Sequence, residues 1–204
     1  MARGIGRSIQ SRSELRSFLI VTNGALTEHS YLSTLRRRMR KSKSLRKSVS
    51  MSIQVIESDP MTLLRKVTAP KANSSDYDEI WIIINHDGAD RTEFLRRCAK
   101  KSTKKQKVIG VVSIPCFEVW LVAHYEQIRN YQNQKEAQRH YLELAGLEQD
   151  KQKSLPENFP WDGIDAACER SRLKGVKLPD VNAQGPCPST TMPHLISALG
   201  LRNT

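Results

Sequence analysis

Glu79-Ile80-Trp81-Ile82-Ile83-Ile84, running into Asn85-His86-Asp87-Gly88, is the stretch that decides the fold. The apolar run is too short for an ordinary helix, and its β-branched isoleucines favour an extended chain. An unbroken apolar strand has no polar face to give to water. It must therefore be covered on both sides, as in a parallel sheet. Asn85 to Gly88 is turn chemistry and ends the strand.

Upstream, Phe18-Leu19-Ile20-Val21-Thr22 reads as a first strand, broken by Asn23-Gly24. A helix follows from about Thr27, with Tyr31, Leu32, Leu35 and Met39 at helical spacing. Its end runs into a basic block and a Ser/Lys-rich loop through Ser50. Met51, Ile53 and Val55 alternate with polar residues, which marks a second strand. Asp59-Pro60 is a helix start, with a capping carboxylate followed by Pro at the first helical position. Downstream, residues 92–101 read as a short basic helix and 107–113 as a fourth strand. Pro115-Cys116-Phe117-Glu118 then opens a helix with Phe117, Trp120, Leu121 and His124 along one side.

This alternation predicts an α/β fold: a small, mostly parallel sheet flanked by helices. Beyond about Gln127 the pattern turns helical and polar, with helices expected at 134–145, 164–173 and 192–199. Residues 128–204 are read as a helical C-terminal extension of one domain spanning 17–204, and residues 1–16 as a basic flexible arm. A chain of 204 residues is long enough for one domain with a real core.

Charge narrows the function. Lys and Arg number 33 against 21 acids, for a formal net charge of +12. The excess is blocked. Arg36, Arg37, Arg38, Arg40, Lys41, Lys43, Arg46 and Lys47 form one run without an acid, and Arg96, Arg97, Lys100, Lys101, Lys104, Lys105 and Lys107 form another. Such blocks attract phosphate backbones and release counterions on binding, so nucleic acid is the expected partner; the plainer alternative is two solvated surface segments. Neither block carries the aromatic apolar face of a membrane-surface helix. No stretch approaches the ~20 apolar residues of a membrane span, and residues 1–16 lack the apolar core of a secretory signal. Cys98, Cys116, Cys168 and Cys187 are scattered, with no C-x-x-C pair and no His at zinc-finger spacing. Free thiols in a reducing cytoplasm are expected, without structural zinc.

In open α/β sheets functional groups collect at the carboxyl ends of strands. Three such ends carry suggestive residues: Asn23 to Glu28, Asn85 to Asp90, and Ser113 to Glu118. Glu28, Asp87 and Glu118 are the candidates to converge on a hard cation such as Mg²⁺ or Mn²⁺, which carboxylate oxygens suit. Beside basic surfaces, such a site points to phosphodiester chemistry. Each acid also has a plainer use: Asp87 as a turn residue before Gly88, Glu28 and Glu118 as first-turn carboxylates that favour the helix dipole. His86 reads as a loop residue, His124 as packed or hydrogen-bonded. Ser189, Thr190 and Thr191 are expected to cap the last helix, or to bind phosphate there.

Three segments together resemble RloB-like proteins. The family's C-E-G-x-x-T-E-x-x-Y motif reads here Thr22-Asn23-Gly24-Ala25-Leu26-Thr27-Glu28-His29-Ser30-Tyr31. Its Y-D-x-V-W strand, ending in D-x-D, reads Tyr77-Asp78-Glu79-Ile80-Trp81 and ends in Asn85-His86-Asp87. Its S-N-P-C-F-E-x-W-L-x-x-H motif, the most specific, reads Ser113-Ile114-Pro115-Cys116-Phe117-Glu118-Val119-Trp120-Leu121-Val122-Ala123-His124. Pro188-Ser189-Thr190-Thr191 also looks like a family feature. The resemblance implies a Toprim-type core over about residues 17–127. In that core a Glu after strand one acts in acid–base chemistry, and a D-x-D after strand three binds Mg²⁺. It also implies a nuclease of restriction and abortive-infection loci; a further alternative is a toxin-like or ligand-gated defence component that needs a partner ATPase or activator.

The sequence departs from that pattern at Asn23, where the motif has Glu, and at Asn85, where it has the first Asp. An amide can coordinate through its carbonyl oxygen, but it brings neither charge nor a proton to shuttle. The expected site is therefore Glu28, Asp87 and Glu118 with Asn23 and Asn85, or a core retained only for binding.

Overall fold

The computed structural model describes residues 15–70, 72–148 and 155–202. Residues 1–14 of the basic arm lie outside them, and Arg16 is the first residue of β1. Four parallel strands form the sheet: β1 (Arg16–Thr22), β2 (Val49–Val55), β3 (Glu79–Asn85) and β4 (Lys107–Ile114). A short fifth strand, β5 (Ser189–Thr190), pairs antiparallel with β4, giving the order β2-β1-β3-β4-β5.

The order follows from the connections. β1 leads through α1 (Thr27–Lys41) and α2 (Lys43–Ser48) to β2 on one side. The chain then passes through α3 (Pro60–Val67) to β3 on the other side of β1, and through α4 (Thr92–Lys101) on to β4. Right-handed crossovers running in opposite directions put their helices on opposite faces. Accordingly Phe18, Ile20, Trp81 and Ile83 pack with α1, while Leu19, Val21, Ile80, Ile82 and Ile84 pack with α3 and α4. Adjacent strand residues point to opposite faces, so β3 is apolar throughout because both faces are covered. Each such side chain contributes about 1.5–3 kcal/mol on full burial.

Local chemistry fixes the joints. Asp59 accepts the Met61 and Thr62 amide protons at 3.1 and 3.0 Å, as its place before Pro60 predicts. Gly110 lets α4 lie against β4: a Cβ there would sit 2.7 Å from Leu95 and 2.9 Å from Phe94. Buried Glu79 at the start of β3 takes Arg16 at 2.6 Å and the Trp81 indole N–H at 2.8 Å.

Three expectations change. The Ser/Lys-rich loop before Ser50 instead forms α2, and β2 starts at Val49. The helix opened by Cys116-Phe117-Glu118, α5 (Glu118–Tyr125), is buried all round rather than along one side. It is covered because α6 (Gln134–Ala145), α7 (Ile164–Arg170) and α8 (Met192–Ala198) pack in the same core as β1, β3 and β4. Ser189 to Thr191 form no side-chain cap of the usual kind on α8. They extend the sheet instead. Ser113 Oγ and Thr190 Oγ1 lie 2.7 Å apart, and Thr191 Oγ1 accepts the Val112 amide proton at 3.0 Å. Asn182 closes the rest of the β4 edge, accepting from the Gly110 amide at 2.7 Å and donating to the Val108 carbonyl at 3.3 Å. Covering an edge strand this way removes a template for wrong pairing.

Candidate functional site

The chain reverses its direction of sheet growth between β1 and β3, which opens a crevice at their carboxyl ends. On the β1 side, Thr22 Oγ1 accepts the Gly24 amide proton at 3.0 Å and turns the chain into α1. Glu28, in the first turn of α1, is only 5% exposed. Its carboxylate folds back so closely on Gly24 that a Cβ there would push it aside.

On the β3 side, Asn85 Nδ2 donates to Glu28 Oε1 at 2.9 Å. The other amide atom, Asn85 Oδ1, is buried with no hydrogen-bond partner among the described residues. The chain then follows the end of β4: the His86 amide donates to Ser113 O at 3.0 Å and the Asp87 amide to Pro115 O at 3.3 Å. Asp87 sits at φ 49°, a left-handed conformation that Asp tolerates better than most side chains. This brings Asp87 beside the segment that opens α5. Asp90 is otherwise engaged, accepting from the Thr92 amide and hydroxyl at 3.1 and 2.7 Å.

Glu118, in the first turn of α5, is 8% exposed. Burial raises its carboxyl above the usual range, hydrogen bonds from Cys116 and Gln138 oppose this, and the charge of Asp87 adds to the rise. Glu28 is raised too, by burial first and then by repulsion from Glu118 and Asp87, against its own backbone amide and Asn85. Asp87 is raised by partial burial, offset by Arg91 and His86. The neighbouring Cys116 thiol is pushed up strongly by burial and by Glu118, so it is an inert thiol, not a nucleophile.

Asn23, Gly24, Glu28, Glu57, Glu118 and Gln138 line a cleft of about 410 Å³. Glu28, Asp87 and Glu118 thus lie near enough to feel one another's charge. Among the described residues, however, no three His, Cys, Asp or Glu side chains close into a metal-holding group. A hydrated Mg²⁺ asks for less than such a cage: one or two carboxylates and retained waters suffice. Two buried carboxylates and the orphaned Asn85 carbonyl oxygen are a hard-oxygen set that fits such an ion.

Three cleft neighbours escaped the sequence reading. Glu57 follows β2 closely, and the Ile56 amide donates to Thr22 O at 2.9 Å, which ties it to the end of β1. Applying the strand-end rule to β2 would have found it. Gln138 arrives from α6, with no sequence signal. Arg91 follows the acidic loop, donating from Nε to Asn85 O at 3.1 Å and from its amide to Gln184 Oε1 at 2.6 Å.

His124 is not in the cleft. It is buried among Tyr31, Trp120, Phe159 and Trp161, with Nε2 3.1 Å from the Tyr31 hydroxyl and Nδ1 3.3 Å from Pro160 O. Burial lowers its pKa to about 4.

Nor do the basic blocks flank the cleft together. α1 and α4 lie on opposite faces of the sheet, and each runs away from the carboxyl edge. Along α1, Lys41 is roughly 20 Å from Glu28 at 1.5 Å per residue. Arg36 is half-buried; Arg37, Arg38, Arg40 and Lys41 are exposed, and Arg38 is held by Asp162 at 3.0 Å over the Trp161 ring. On the other face Arg96, Arg97, Lys100 and Lys101 lie on α4, and Lys104 and Lys105 in the turn before β4. All four cysteines are free. Among the described residues no helix is long and apolar enough to cross a membrane.

The family model for RloB-like proteins matches residues 18–199. This chain belongs to the RloB-like family. No curated protein and no solved structure matches it. In this RloB-like chain the first and third motif segments each send a carboxylate to the cleft, Glu28 and Glu118, and a hydrogen-bonding ring, Tyr31 and His124, to the aromatic cluster.

Proposed function

We propose that this RloB-like protein is a divalent-metal-dependent nuclease of a prokaryotic antiviral (abortive-infection) system, with Glu28, Glu118 and Asp87 as its acidic centre. The observation that carries the reading is the pair of buried carboxylates, Glu28 and Glu118, at the crevice between β1 and β3, raised by burial first, then Glu28 by Glu118 and both by Asp87. Perturbed acids in a cleft are what proton transfer near neutral pH requires. A bound Mg²⁺ or Mn²⁺ would polarise a phosphoryl oxygen and lower the pKa of its water. The residues that would hold it are Glu28, Glu118 and Asp87, with Asn85 Oδ1 as a neutral donor. Glu28 and Glu118 hold or pass the proton, Asn85 orients Glu28, Asn23 lines the cleft mouth, and Arg91 offers the nearby positive charge for a phosphate. Nucleic acid is the substrate, held through the cationic surfaces of α1 and α4. A partner ATPase or activator of the same locus supplies the trigger, and the protein works in the cytoplasm.

The test is incubation of the purified protein with a panel of RNA and DNA in Mg²⁺ or Mn²⁺. Cleavage that EDTA stops, and that falls at least 100-fold in Glu118→Gln, is the expected result. Cleavage of no substrate in either metal, or cleavage indifferent to Glu118→Gln, rejects the reading.

A second reading is favoured by Asn23 and Asn85, which supply amides where the motifs have acids: a binding subunit that does not cut. It expects nucleic-acid affinity unchanged by chelation together with silence in the cleavage assay.

A further inference from the structure

On the face opposite the acidic cleft's α1–α5 side, α3 and α4 bound a groove of about 780 Å³. Arg65 from α3 and Arg96, Arg97, Lys100 and Lys101 from α4 line it. Its apolar lining comes from Met61, Leu64 and Pro70. All five cations are exposed. Among the described residues Glu93 is the one acid paired with any of them, at 2.6 Å from Arg96 and 2.7 Å from Arg97. Arg65, Lys100 and Lys101 have no carboxylate partner among the described residues.

We propose that this groove binds the sugar–phosphate backbone of a nucleic acid strand without reading its bases. Charge complementarity carries the assignment. Arg96 with Lys100, and Arg97 with Lys101, stack like charges one helical turn apart, which a helix does not favour by itself. A polyanion laid along α4 relieves that repulsion. Arg65 on the facing helix makes the site two-walled rather than a single charged stripe.

The lining also limits what is recognised. Among the described residues no aromatic side chain lines the groove to give bases a stacking platform. Among the described residues no Asn or Gln amide lines it to pair with adenine, and its polar lining is the five cations with Thr62 and Thr68. Exposed cations ranged along two helices chiefly meet phosphates, which hold a strand in register without sequence information.

Position links the groove to the cleft. α3 begins at Pro60, close behind Glu57 of the cleft, and α4 begins at Thr92, next to Arg91. A strand lying between these helices therefore has one end directed to the carboxyl edge of β1 and β3. Backbone binding stands whether or not the cleft cuts.

Fluorescence anisotropy with labelled single-stranded RNA, single-stranded DNA and duplex, all in EDTA, tests the proposal. The groove variant is Arg65→Gln with Lys100→Gln and Lys101→Gln. The charge-matched control is Lys135→Gln with Arg139→Gln and Lys174→Gln, exposed cations elsewhere on the surface. The groove variant is expected to weaken binding at least 10-fold near 0.1 M salt. It should also flatten the slope of log K against log salt by about 2 for single strands. The control should change binding less than threefold, and scrambled sequences should bind the wild type alike. Equal loss in both variants, unchanged binding in the groove variant, or no binding by the wild type to any probe overturns the proposal. Glu118→Gln should leave this EDTA binding intact, so loss of cleavage with binding retained separates a failed cleft from a failed groove.

Discussion

The cleft and the aromatic cluster are built from the same two stretches of chain, yet they are opposite environments. Glu28 and Tyr31 are less than one helical turn apart on α1, and Glu118 and His124 less than two turns apart on α5. Glu118 and His124 leave α5 about 120° apart, whereas Glu28 and Tyr31, three residues apart, share a face of α1, with Glu28 nearer the carboxyl edge of the sheet and Tyr31 deeper. Glu28 and Glu118 reach a polar crevice where burial and neighbouring carboxylates raise their carboxyls above the usual range. Tyr31 and His124 reach a dry cluster where burial keeps a proton off the imidazole. A motif residue is thus not a catalytic residue by membership. Geometry divides the two motifs into groups that face the cleft and groups that lock α1 to α5.

The two regions should titrate with opposite signs. His124 has an ordinary pKa of 6.5 and a folded value of about 4. The unfolded chain takes up the proton first, so the stability that neutral His124 provides is full above 6.5 and is lost as pH falls toward 4. The cost is on the order of 3 kcal/mol, the largest effect expected here. Urea unfolding between pH 7 and 4 should show this acid limb, and His124→Phe should flatten it. An acid limb of equal depth in the variant would break the contrast.

The carboxylates run the other way. Glu28 and Glu118 are raised above their ordinary 4.5, so the folded protein binds their protons more tightly than the unfolded chain does. Their contribution is full below the ordinary carboxyl range and is lost as pH rises through the folded values. Glu118→Gln removes one buried charge while keeping the side-chain shape. It should be more stable than the wild type at pH 8 by on the order of 1 kcal/mol, with the gap closing at pH 4. Differential unfolding at the two pH values measures it. A variant less stable at pH 8 would mean that Glu118 is stabilised as a carboxylate, and the contrast with His124 would disappear.

The sequence made the same division visible only in part. The parallel sheet was legible because β3 cannot be half-solvated, and because Asp59-Pro60 and the Tyr31-Leu32-Leu35-Met39 spacing are local signals. α2 was not, since it is six residues long and Leu45 is its one apolar side chain. β5 is two residues of Ser and Thr, and it is a strand only because the β4 edge is there to receive it. The burial of α5 on every side depends on α6, α7 and α8 arriving from later in the chain. The same limit applies to the site. Glu28, Asp87 and Glu118 follow strands and can be read at strand ends. Gln138 and Gln184 reach their partners through tertiary packing, over separations that no local pattern encodes.

The smallest effect probes the link between the two regions. Pro160 O can only accept, so the proton of neutral His124 sits on Nδ1, and Nε2 must accept from the Tyr31 hydroxyl. Tyr31→Phe keeps the ring contacts with Phe117, Trp120 and Trp161 but leaves Nε2 buried without a donor. The loss should be about 1 kcal/mol at pH 7, read from the urea midpoint at unchanged slope. The acid limb should persist, because the desolvation that lowers the imidazole pKa does not need the hydroxyl. If instead Tyr31→Phe abolished metal-dependent cleavage while costing no stability, the hydroxyl would be serving the cleft. The Tyr31–His124 contact would then belong to the chemistry rather than to the packing that holds α1 against α5.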